Sequence, residues 1–297
     1  MTDTFKKHSS VQDQSVNFTQ KREDGGLLEC RYVRREEDYY IIYLSSQTGC
    51  NQACRFCHLT ATGQTMFTQA TVPDYVSQAI TVFDYADTQS PAKRVHFNFM
   101  ARGEPLLNPV IKHGMIYLYE FLNAMSEERG LDGSLRISTI MPEEAQNFEF
   151  IHSWGHLPGI IPYYSLYSMK PQFRKRWLPK SMAPERALQK LADYQQATGG
   201  NKVVLHWAFI EGENDSVEDI EQIVNAVKKV GLHAKLNTVR YNPASEKQGR
   251  EPSEEKIKHL HDLFVSEMDN AGLLEPGSRI VPRVGFDVKA SCGMFVS

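Results

Sequence analysis

Six short apolar runs of β character alternate along this chain with stretches of helical spacing, absent only between the third and fourth runs, and that alternation restricts the fold more than any other feature. The strand patterns fall at residues 39–45, 94–100, 134–139, 160–166, 202–210 and 234–240. Helix patterns occupy 73–85, 110–128, 184–195 and 216–230, and another at 253–270 leads to a short apolar run at 279–284. Within 216–230, Ile220, Ile223, Val224, Val227 and Val230 share one helical face, and Gly231 supplies the stop. Mostly apolar strands, each followed by a helix, make a parallel sheet covered by helices. A partial (β/α)6 barrel and an open doubly wound sheet both meet that pattern. Periodicity alone does not separate them.

Residues 1–24 are polar and weakly patterned, so a flexible N-terminal tail is expected there. After the turn signal Asp24-Gly25-Gly26, two β-like runs at 27–33 and 39–44 flank a charged stretch, which reads as an antiparallel hairpin. Residues 25–297 then form one domain, without repeats or an internal linker, and 247–252 reads as an exposed loop. A chain of 297 residues with 41% hydrophobic content can fill one large α/β core. Its net charge of -3 provides no global field to draw in nucleic acid. The first ten residues lack the apolar centre of a signal peptide, and no segment approaches the ~20 apolar residues of a membrane span. A cytoplasmic protein is expected.

Only five cysteines occur, at positions 30, 50, 54, 57 and 292. An odd number with three bunched together is no disulfide framework and points to metal binding or catalysis. Cys50, Cys54 and Cys57 follow the strand at 39–45 with the spacing CxxxCxxC. Three thiolates on one loop can hold three irons of a [4Fe–4S] cubane and leave the fourth open to S-adenosylmethionine (SAM), whose reductive cleavage gives a 5′-deoxyadenosyl radical. The rival is a Cys3His zinc site. His58 directly follows Cys57, so joint chelation would strain the backbone, and no second CxxC pair is present.

The chain resembles the RlmN/Cfr-type radical SAM methyl synthases from about residue 27 onward. The likeness rests on Ser45-Ser46-Gln47-Thr48-Gly49-Cys50, Gly103-Glu104-Pro105-Leu106-Leu107-Asn108, Ser138-Thr139, Ser165-Leu166-Tyr167, Leu236-Asn237 with Asn242-Pro243, and the ending Ala290-Ser291-Cys292-Gly293. It implies a partial (β/α)6 radical SAM barrel with the N-terminal β-hairpin as an extension. It also implies methylation of an sp2 carbon of adenine, C2 before C8, in ribosomal or transfer RNA, or on another adenine-containing substrate. A [4Fe–4S] cluster, SAM, and an electron donor of flavodoxin or ferredoxin type come with it, on a monomer that needs no membrane.

Carried over residue by residue, Gly103, Glu104, Ser138, Ser165, Tyr167 and Asn237 would form the SAM shell at the strand ends, where a barrel gathers its ligand contacts. Cys292 would carry the methyl group as S-methylcysteine. Glu29, in the hairpin, would be the base that removes the proton from the attacked ring carbon.

Several positions depart from the family. Tyr43 stands where a second catalytic cysteine resolves the enzyme–substrate thioether. Cys30 is the spare thiol, but strand alternation turns it away from the face of Glu29. Ala101-Arg102 replaces Gly-Met, Tyr167 replaces a histidine, and the family's N-terminal RNA-contacting domain has no counterpart in this sequence. The basic segment 173–177 reads as a solvated helix face with one packed tryptophan, and the Tyr39-Tyr40 and Tyr163-Tyr164 pairs as strand packing.

Overall fold

The strands of the computed structural model, which describes residues 4–296, lie side by side in strict sequence order in one sheet. The first four, β1 (Lys6–Ser9), β2 (Val16–Lys21), β3 (Leu27–Glu36) and β4 (Tyr39–Tyr43), pair antiparallel. From β4 onward every pairing is parallel, through β5 (Arg94–Phe99), β6 (Asp132–Thr139), β7 (Ile160–Tyr164), β8 (Val204–Trp207), β9 (Lys235–Thr238) and the short β10 (Arg279–Ile280). A doubly wound sheet must reverse its strand order at a switch point. This order never reverses, so crossovers of one hand place the helices on one face and the sheet curls around the other. The fold is the partial barrel.

The expected N-terminal tail is corrected by the structure. Val16, Asn17 and Phe18 of β2 are buried, and β2 pairs with β3 along its whole length. Six residues paired along a hairpin strand gain a ladder and a core contact, which their polar neighbours hide from a pattern search. Residues 1–3 of that tail lie outside the described residues.

The helices are α1 (His58–Ala61), α2 (Val72–Ala86), α3 (Pro109–His113), α4 (Met115–Glu127), α5 (Phe150–Trp154), α6 (Pro171–Trp177), α7 (Pro184–Ala197), α8 (Val217–Val230) and α9 (Glu254–Asn270). Capping boxes start α2 (Thr71 with Asp74) and α8 (Ser216 with Asp219), and Gly231 ends α8 in the left-handed region at φ 65. The single helix expected over 110–128 is two, because Gly114 breaks the run between α3 and α4. Helix α6 buries Phe173 and Trp177 but also Arg174, whose guanidinium donates to the carbonyls of Leu166 and Met182 at 2.9 Å each. That segment is less solvated than its composition suggests.

The barrel strands carry two faces of different character. Phe97, Leu135, Ile137, Leu205 and Leu236 pack against the helices, while His96, Asn98, Arg136, Ser138, His206 and Asn237 turn inward. Tyr40 and Tyr164 join the core, whereas Tyr39 and Tyr163 face the interior. Within the barrel lies a cavity of about 430 Å³.

Candidate active site

The cysteine loop leaves β4 through a reciprocal pair of bonds: Ser45 Oγ donates to the Glu29 carbonyl at 2.6 Å and accepts from its N–H at 2.9 Å. Gly49 then passes so close to the backbone of Gln64 and Met66 that a Cβ would sit 2.3 Å from the Met66 oxygen. Only glycine fits there. Cys50, Cys54 and Cys57 all face the cavity. Burial, followed by the charge of Cys57, pushes the Cys50 thiol up to about 12, and burial also raises Cys54 and Cys57. Three thiols so reluctant to ionise need a cationic centre to become ligands.

Zinc is a poor fit to this loop. His58 is buried with Nε2 3.1 Å from the Asn242 carbonyl, which ties its ring to the segment after β9. Among the described residues no three cysteine, histidine or carboxylate groups converge on one point to hold a single ion. The CxxxCxxC spacing on one loop, with all three cysteines lining the cavity, suits three corners of a cubane.

Beside the loop, Gly103 adopts φ 96 and approaches Gln47 so closely that a Cβ would lie 2.7 Å from the Gln47 Cβ. Its freedom is spent on packing against the cysteine loop. Glu104 is 5% exposed and accepts from the N–H groups of Leu106 (3.1 Å) and Ile140 (3.2 Å). Burial outweighs these bonds and raises its carboxyl to about 7. Ser138, Ser165, Tyr167 and Asn237 face the same cavity. Tyr167, at φ 60, stacks on Phe56 of the cysteine loop with ring centroids 4.4 Å apart. Asn237 Oδ1 is buried and accepts nothing.

Cys292 is exposed, and its exposure is toward this cavity. Desolvation by the surrounding walls pushes its thiol up to about 11. Its segment is tied down on both sides: Asn242 Nδ2 donates to the Cys292 carbonyl at 3.0 Å, and the His58 N–H to that of Gly293 at 3.0 Å. The thiol expected to carry a methyl group and the three cluster cysteines therefore share one chamber. Tyr43 lines it too, its hydroxyl accepting from Arg35 at 3.4 Å.

Glu29 is the expected site residue that the structure does not bring there. Its side chain is fully buried away from the cavity lining. One oxygen accepts from Arg102 (2.6 Å) and the Val296 N–H (2.9 Å), the other from Arg31 (2.9 Å) and Asn17 (3.2 Å). A carboxylate held by two guanidiniums has no lone pair to spare for a substrate proton. Cys30 points the opposite way into the hydrophobic core, fully buried, with its thiol raised by desolvation.

Sequence reasoning missed three inward polar groups: Gln52 Oε1, Asn98 Oδ1 and His206 Nδ1 line the cavity, buried and unpartnered. The signal was available for two of them. Asn98 sits opposite Arg136, and His206 opposite Asn237, in the register of the parallel strands.

No protein-family model matches the chain. Among curated proteins, the dual-specificity RNA methyltransferase RlmN of Bradyrhizobium diazoefficiens is 27% identical over 278 residues, covering 91% of this chain. The protein of that name from Oleidesulfovibrio alaskensis is 27% identical over 292 residues, covering 96% of this chain and 76% of its own length. This chain spans 64% of the Bradyrhizobium protein. Among solved structures, a radical SAM methyltransferase from Sphaerobacter thermophilus superposes with a TM-score of 0.73 at 19% identity, over 99% of this chain and 81% of that one. A spore photoproduct lyase mutant with dinucleoside spore photoproduct reaches 0.53 at 15% identity, over 78% and 73%. These structures share the fold.

Proposed function

We propose that this chain, which belongs to the RlmN/Cfr-type radical SAM family, methylates an sp2 carbon of adenine with Cys292 as the methyl carrier. The observation that carries this reading is the common chamber of Cys292 with Cys50, Cys54 and Cys57. Cys50, Cys54 and Cys57 would hold a [4Fe–4S] cluster, and with SAM bound in the cavity that cluster would supply a 5′-deoxyadenosyl radical. Glu104, when ionised, can accept from an ammonium group, and Asn237 Oδ1 awaits a donor. Ser138 and Ser165 offer hydroxyls, and Tyr167 with Phe56 offers an aromatic wall. Gly103 keeps the Glu104 turn against the cysteine loop.

The names of the relatives, RNA methyltransferases, support RNA as the target; adenine as the base, with C2 before C8, rests on the motif resemblance alone. A reductase partner of flavodoxin or ferredoxin type would deliver the electron. Glu29 has no base role in this reading, because its oxygens are already taken. A second reading, a small adenine nucleotide as substrate, is favoured by Arg35, Arg136 and Lys235, which line the cavity, and by Tyr43 at the resolving position.

Peptide mass spectrometry of protein purified with an intact cluster and supplied with SAM is the direct test. S-methylation at Cys292 is expected. A bare thiol there, in protein that still cleaves SAM on reduction, overturns the carrier role.

A further inference from the structure

Away from the cysteine loop, the cavity holds cations that nothing balances. Arg35 of β3, Arg136 of β6 and Lys235 of β9 line it, and among the described residues none of the three has a carboxylate within ion-pair distance. Neighbouring arginines are matched, Arg94 by Asp38 and Arg279 by Glu36 at 3.4 Å. Arg136 reaches only neutral partners, Ser134 Oγ at 2.8 Å and Tyr163. Arg35 has a long bond to Tyr43, and its Nε is buried with no acceptor; so is that of Arg279.

Unmatched charge inside a protein is costly, and like charges raise the cost. The strain is visible in the neighbours. Burial, then the fields of Arg279 and Arg136, pushes Lys235 down to about 8, with Glu275 offsetting little. Burial and the same cations hold His96 neutral. Such a chamber makes sense if an anion occupies it in the working state.

The anion's chemistry follows from the donors. Guanidinium forks and one ammonium lining one cavity suit a phosphate monoester. Arg35 also acts electrostatically on Cys292 and on His206, which line the same cavity. We propose that Arg35, Arg136 and Lys235 form a phosphate subsite inside the barrel, and that the substrate is an adenine nucleotide whose terminal phosphate enters it. The adenine part rests on the methyl-synthase reading; the phosphate part does not.

The test is calorimetric titration of cluster-reconstituted protein with AMP and with adenosine, under anaerobic conditions. AMP should bind roughly tenfold or more tighter than adenosine, and Lys235→Gln and Arg136→Gln should each remove most of that advantage. Thermal melting gives a second measure that does not depend on the base: inorganic phosphate should raise the midpoint of the unaltered protein and not that of Lys235→Gln. Equal affinity for AMP and adenosine, or an AMP advantage that survives both substitutions, overturns the subsite. A 5′-hydroxyl oligoribonucleotide that competes as well as AMP overturns the terminal-phosphate assignment. Methylation at Cys292 is read separately, so an AMP preference without it sinks the carrier role alone, and the reverse sinks the subsite alone.

Discussion

Arg102 Nη1 lies 2.6 Å from Glu29 Oε1, with both side chains shut off from solvent. Arg31 meets the other carboxylate oxygen at 2.9 Å. The same two arginines donate to the last described turns of the chain, Arg31 to the Met294 carbonyl at 2.7 Å and Arg102 to that of Val296 at 3.0 Å. Phe295 lies against both guanidiniums, 5.0 Å and 5.9 Å from its ring centre. This buried network fixes the segment that bears Cys292. It also explains Ala101-Arg102 as a departure from the family: Arg102 is there to meet Glu29.

Removing the shared carboxylate should therefore cost more than a surface change. Glu29→Gln leaves two buried arginines without their counter-charge, and a loss of about 3–5 kcal/mol is expected. Chemical denaturation reads the loss. Limited proteolysis should show early cleavage near residues 290–296, and a stability within about 0.5 kcal/mol of the parent would contradict the network's role.

The three loop cysteines should fail together in cluster binding and not in folding. Cys50→Ala or Cys57→Ala is expected to bring iron content to background after anaerobic reconstitution while far-ultraviolet circular dichroism stays unaltered. Zinc retained at one equivalent by either variant would contradict the assignment.

Cys292→Ser separates radical generation from methyl transfer. The variant should still release 5′-deoxyadenosine under reduction and yield no methylated adenine. Methylated product from this variant would remove Cys292 from the chemistry.

Lys235 gives a pH signature in stability. Its pKa in the folded chain is about 8, against an ordinary 10.5. Between those values the unfolded chain holds more protons, so stability climbs as pH rises through that window, and the penalty is full below about 8. Solvent screening discounts it to the order of 1 kcal/mol. Lys235→Gln should raise the melting midpoint at pH 7 and lose that advantage by pH 10. A lower midpoint at pH 7 would contradict the strain.

The strand–helix order and the cysteine loop were legible because each is local or carries distinctive spacing, and Cys292 was singled out by the ending it shares with the family pattern. The choice of a barrel was not, since strand order is a long-range property. It is settled by the uninterrupted sequence β4 to β10. Glu29 was misread for a related reason. Its pattern neighbours say only which face it takes, while its fate depends on Arg102 and Val296, distant in sequence. The tail hid β2, because Val16 and Phe18 are only two apolar residues among polar ones. The interior cations were each visible as exceptions in apolar strands, but only the register gathers Arg136 and Lys235 into one chamber.

The bond from Val296 to Glu29 closes a loop of 267 residues. Loop-closure entropy grows only with the logarithm of length, so equilibrium tolerates such a contact, but folding rate does not favour it. The arginine clamp should thus be among the last native contacts to form during refolding. Until it does, the Cys292 thiol has no fixed address, and the cavity wall it completes must wait for residues 294–296 to dock.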